Sequence, residues 1–109
     1  PDFMKRSHIY TANNLGRFGL VDYIPKEDEV ESFMKNYERL DGSEDSFFRY
    51  MRFNDYKKML SVALNFADIE HPKSVAYLEY TAKCAIENDN RDFAWKVAVY
   101  SGLLEKKLQ

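Results

Sequence analysis

The chain is short of nearly every group that chemistry draws on. It has one cysteine, Cys84, and two histidines, His8 and His71. A single thiol forms no intramolecular disulfide and excludes a cysteine-rich metal site, which points to a reducing compartment. No HExxH, GxSxG, Walker or GxGxxG pattern occurs, so none of the common hydrolase, nucleotide or dinucleotide sites is indicated. His71 precedes Pro72 where a helix should start, a place for capping rather than proton transfer. Cys84 falls mid-helix near Tyr77 and Tyr80, with no histidine at short spacing, and reads as buried and inert. Glu27, Asp28, Glu29 and Glu31 are gathered like metal ligands. Their place in a first helical turn explains them through the helix dipole alone. The expectation is a protein without catalytic residues, metal or cofactor, and not an enzyme.

Long apolar runs are missing too. Nothing approaches the roughly 18 residues of a membrane span, and the start lacks a signal peptide's apolar core. The sequence therefore reads as cytoplasmic, with no membrane partner. Net charge is only −2 and the pI about 5.7, which argues against a surface coated by nucleic acid and leaves room only for a local basic patch. Pro1, Asp2 and Phe3 stand ahead of Met4 and are expected to be a non-native extension.

Apolar and aromatic residues are plentiful. Of 109 residues, 45% are apolar and 31% charged, and the aromatic share of 16% includes eight Tyr and eight Phe. That balance is globular and sufficient for one core, so residues 4–109 form a single domain. Rings carry the most buried area per residue. Either the core is rich in them, or some belong to an interface.

The organisation is mainly α, a compact bundle of four to five short helices over 26–108. Before it, residues 5–25 alternate apolar and polar positions around "NNLG", which reads as a β-hairpin or, alternatively, an extended arm. Val30, Phe33, Met34, Tyr37 and Leu40 then fall on one helical stripe closed by Gly42. Ser43 is placed to cap a second helix ending at Asn54. A single helix through 44–68 would be apolar all round, so a break is required there. Beyond it Tyr56, Met59, Leu60, Ala63, Leu64 and Phe66 make one stripe, opposite Lys57, Lys58, Ser61, Asn65 and Asp68. Further helices are expected from "HPKS" to about Glu87, and from Asp89 or Asn90 to about Lys106.

The last two helices are apolar on two sides. Val75, Leu78, Ala82, Ala85 and Ile86 make a core stripe, while Tyr77, Tyr80 and Cys84 form a second patch. In the final helix Phe93, Val97, Tyr100 and Leu104 are matched by Trp95, Val99 and Gly102 on another side. Either both helices are central in the bundle, or the second faces dock something. Glycine in a helix interior costs about 1 kcal/mol against alanine, so Gly102 suggests a close approach. Tyr77, Tyr80, Trp95, Val99 and Gly102 are accordingly the candidate partner-binding residues.

"SFFRYMRFNDYKK", residues 46–58, interleaves five rings with Arg49, Arg52, Lys57 and Lys58. The rings have core spacing, and the cations are candidates for contact with an anion or nucleic acid. The function expected is a non-enzymatic protein–protein interaction module (an adaptor, inhibitor or regulatory subunit), docking a protein partner or a second copy of itself. The alternative is a nucleic-acid-binding regulator that uses that basic patch.

Overall fold

The computed structural model describes residues 25–40 and 42–108, and the expected hairpin or arm over 5–25 lies almost entirely outside them. Five helices follow in the described chain: α1 (Glu27–Asn36), α2 (Glu44–Arg52), α3 (Tyr56–Asp68), α4 (Ser74–Glu87) and α5 (Arg91–Leu108). Each of α2, α3 and α4 packs on its successor, and α1 closes onto α5. The result is the expected compact, all-α globule.

Helix α1 carries Glu27, Asp28 and Glu29 in its first turn, where carboxylates face the positive end of the dipole. It buries Val30 and Met34, but it does not run to Gly42 as its stripe suggests. The chain turns extended at Tyr37 because tertiary bonds compete with the next helical turn. The Tyr37 hydroxyl donates to the Lys57 carbonyl at 2.7 Å. Arg39 donates to the Met34 carbonyl and, at 2.8 Å, to that of Tyr37. Its guanidinium also pairs with Asp68 at 3.1 Å, fixing the end of α1 to the end of α3. Burial, then Asp55, pushes the Tyr37 phenol up to about 12.

The next four helices are joined by one device used three times. Phe53, Ile69 and Asn88 are C-cap residues, and the residue after each has positive φ: Asn54 at 58°, Glu70 at 55° and Asp89 at 62°. In each case that residue's N–H and the next one fold back on the helix end. Asn54 donates to Met51 and Asp55 to Tyr50; Glu70 to Ala67 and His71 to Phe66; Asp89 to Ile86 and Asn90 to Ala85. These are Schellman motifs, which satisfy carbonyls that a helix end leaves open. At two of the joints the closing residue also caps the next helix, and at the third His71 orders the turn that leads to the N-cap residue Lys73. Asp55 accepts from Lys58 N–H at 3.3 Å, His71 Nδ1 from Lys73 N–H at 3.0 Å, and Asn90 from Phe93 N–H at 3.2 Å. The break at Asn54 is thus where expected, with Asp55 rather than Asn54 as the cap.

Glu70 is the costly member of this set. Asn and Asp tolerate the left-handed region, whereas other L residues lose about 1–2 kcal/mol there. After the unfolded-state entropy of glycine is deducted, Glu70→Gly should stabilise the protein by about 0.5–1 kcal/mol. Asn54→Gly and Asp89→Gly should give less in the same urea titration. A Glu70→Gly protein no more stable than wild type would contradict this assignment.

The core runs through α3 and α4. Met59, Leu60, Val62, Ala63 and Leu64 are fully buried, and so is Ser61, placed on the polar side by its sequence pattern but 3% exposed. Both expected stripes of α4 and α5 are covered, making these helices central. Each large apolar side chain withdrawn from water contributes about 1.5–3 kcal/mol.

Candidate functional site

The ring–ring contacts of the described residues fall into two aromatic clusters. One joins α1, α3 and α5: Phe33, Tyr37 and Tyr56 all meet Phe93, with Tyr56 closest at 5.1 Å. Asn90 also donates to the Tyr56 hydroxyl at 3.1 Å. This cluster is ordinary core packing. The other lies between α2 and α4 and opens to solvent. Phe47 packs on Tyr77 at 4.7 Å, and Tyr77 continues to Phe66 at 5.2 Å and on to His71, 5.0 Å from Phe66. Phe48, one residue further along α2, meets Tyr77 at 6.0 Å and Tyr80 at 6.2 Å.

Neighbouring residues on α2 diverge by about 100°, so Phe47 turns inward while Phe48 stands at the rim. Phe47 is 0% exposed and Phe48 38%. The rim borders a cleft of about 190 Å³ lined by Glu44, Phe48, Lys73, Ala76, Tyr77 and Tyr80. A second cleft of about 220 Å³ adjoins it through Tyr80 and is lined by Met51, Asn54, Lys83, Cys84 and Glu87. The two clefts share Tyr80 as a common wall, and we term the pair of them the α2–α4 groove. Ion pairs stand at its two ends, Glu44 with Lys73 and Lys83 with Glu87, each at 3.6 Å.

The groove's titratable groups are tuned by burial and by these pairs. The Tyr77 hydroxyl is buried beside the Glu44 carboxylate, short of full hydrogen-bond geometry. Desolvation and that carboxylate raise the Tyr77 phenol. Glu44 is in turn held below the usual carboxylate range, first by Tyr77 and then by Lys73. Burial raises the Cys84 thiol, whose Sγ contacts Asn54 Oδ1 at 3.9 Å. A protonated, buried thiol is a poor nucleophile. Among the described residues no group of His, Cys, Asp or Glu is arranged to hold a metal ion, and no helix is long and apolar enough to cross a membrane.

The residues singled out in the sequence do not converge. Tyr77 and Tyr80 face the α2 groove, Tyr77 at its floor and Tyr80 half-buried. Trp95 and Val99 lie on α5 and are buried, at 3% and 8% exposure. They offer no open surface, which corrects the expectation of a single aromatic docking face on the last two helices. At Gly102 no close approach is made within the described residues, where a Cβ would meet no heavy atom within 4 Å. Central position in the bundle is what covers both sides of these helices.

The basic residues remain together in space. Arg49 and Arg52 are exposed in the last turn of α2, and Lys57 and Lys58 are exposed in the first turn of α3. Lys58 pairs with Asp55 at 3.7 Å and lies 5.5 Å from the centre of the Tyr50 ring. Arg49 reaches Ser46 Oγ at 3.4 Å. Phe53, between them, is 76% exposed. Sequence spacing accounts for most of the rings of this stretch by core packing. Phe47, Tyr50 and Tyr56 are at least half-buried, whereas Phe48 stands at the outer side of α2 and Phe53, at the C-cap beside the bend, faces water.

A larger crevice of about 450 Å³ lies between α1, α3 and α5, with Lys35, Arg39, Asp68, Tyr100 and Lys107 on its walls. Its central cation is engaged by the α1 carbonyls and Asp68, so it serves the fold. Comparison with protein-family models, with curated proteins and with solved structures finds no match to this chain.

Proposed function

We propose that the protein is a non-enzymatic interaction module, an adaptor, inhibitor or regulatory subunit, that docks a partner protein or a second copy of itself through the α2–α4 groove. The observation that carries this reading is the solvent-open aromatic wall. Phe48 and Tyr80 border a groove, and Phe53 projects beside it. Exposed rings grouped around a concave seam are the usual anchors of recognition. The thinness of proton-transfer chemistry agrees with an activity that consists of occupying a surface.

The test is selection from a random displayed-peptide library, with light scattering across concentration to detect self-pairing. Ligands chosen on the wild type, or the self-association itself, should weaken by about tenfold or more in Phe48→Asp, matching the loss of one anchor. Circular dichroism should be unchanged, because Phe48 is partly exposed. If every selected ligand binds the variant as well as the wild type and the chain stays monomeric, the groove is not the docking surface.

A further inference from the structure

Resting on the docking reading above, we infer that the occupant of the α2–α4 groove is an acidic peptide segment, with an apolar anchor against Phe48 and Tyr80 and carboxylates directed at the α2–α3 junction. The charge at that junction is lopsided. Residues 49–58 contain Arg49, Arg52, Lys57 and Lys58 against one carboxylate, Asp55. Among the described residues only Lys58 of these four has an ion pair. Arg52 stands one helical turn after Phe48 and therefore shares its stripe, which puts a cation directly beyond the aromatic rim.

Lys57 and Lys58 both sit in the first turn of α3, at the positive end of its dipole. The negative end of the α2 dipole and the positive end of the α3 dipole meet at this bend and offset each other, so the excess of positive charge there is that of the side chains, four cations against Asp55.

The same map disfavours a phosphate backbone. Glu44 and Glu87 line the groove toward its two ends, each paired with a lysine, so the seam itself is near neutral and offers a uniformly anionic polymer no continuous cationic track. A peptide can be apolar where the groove is apolar and acidic only where the protein is basic. Electrostatic complementarity of this kind mainly sets specificity and association rate.

The test uses three synthetic peptides with a common Leu-Phe anchor followed by four Glu, four Gln or four Lys, and a fluorescent oligo-dT, each titrated by fluorescence polarisation. At low salt the Glu peptide should bind about tenfold or more tighter than the Lys peptide, and high salt should erase most of the difference. Arg49→Glu with Arg52→Glu, both exposed, should remove or reverse the preference, and Phe48→Asp should weaken all three peptides. Equal binding of the three, still lost in Phe48→Asp, overturns the acidic occupant and leaves the docking groove standing. No binding by any peptide overturns both. Oligo-dT binding tighter than the Glu peptide, and lost in the double arginine variant, overturns the inference in favour of nucleic acid.

Discussion

Phe47→Ala is expected to remove about 3–5 kcal/mol of stability, the range for deleting a fully buried ring. That is a large part of the roughly 5–15 kcal/mol available to a small domain. Phe47 is 0% exposed and contacts Tyr77, Phe48 and Tyr80, at 4.7, 5.3 and 6.4 Å between ring centres. Its removal leaves a void at the α2–α4 seam that these neighbours cannot fill without leaving their own packing. Phe48→Ala, one residue away, should cost far less because that ring is already partly in water. Urea unfolding of the two variants checks this directly. A Phe47→Ala loss below about 1 kcal/mol would mean that α2 is not packed as described.

Gly42→Ala is the second substitution with a large expected effect, about 1–3 kcal/mol of destabilisation from overpacking. A Cβ at Gly42 would stand 2.7 Å from Val62 Cγ2 and 3.4 Å from Cγ1. Val62 is fully buried, and a β-branched side chain has little freedom to swing away. The constraint at Gly42 is therefore one of space, not the helix-ending role its sequence position suggests. Val62→Ala alone also destabilises, by opening a cavity. The double variant should be more stable than the sum of the two losses predicts, by about 1 kcal/mol or more. Strict additivity would refute the proposed contact.

These two positions also mark what could be read in the sequence. The break between α2 and α3 was legible because one helix through 44–68 has rings on every side. The central position of α4 and α5 was one of two readings of their double stripes. The end of α1 was not legible. Tyr37 continues the apolar stripe of Phe33 and Met34, and only bonds to residues distant in sequence, to Lys57 and Asp68, explain why the helix stops. The groove was hidden for a related reason. Phe47 and Phe48 are chemically alike, and the direction of α2 against α4 decides which is core and which is rim. Trp95 erred the other way: an indole with partner-like spacing is also one of the largest pieces available to fill an interior.

The shared residues at the helix junctions carry a mechanical consequence. Asp55 and Asn90 each end one helix and begin the next, whereas the α3–α4 connection carries a further turn through Pro72 and Lys73 before the helix begins. No slack therefore remains at the α2–α3 and α4–α5 junctions. One inserted residue at such a junction would shift the downstream helix by about 100° around its axis, throwing its buried side toward water. Lengthening by evolution or by engineering is disfavoured at these two junctions, and α2 with α3, like α4 with α5, behaves as a meshed pair in which turning one wheel turns the other.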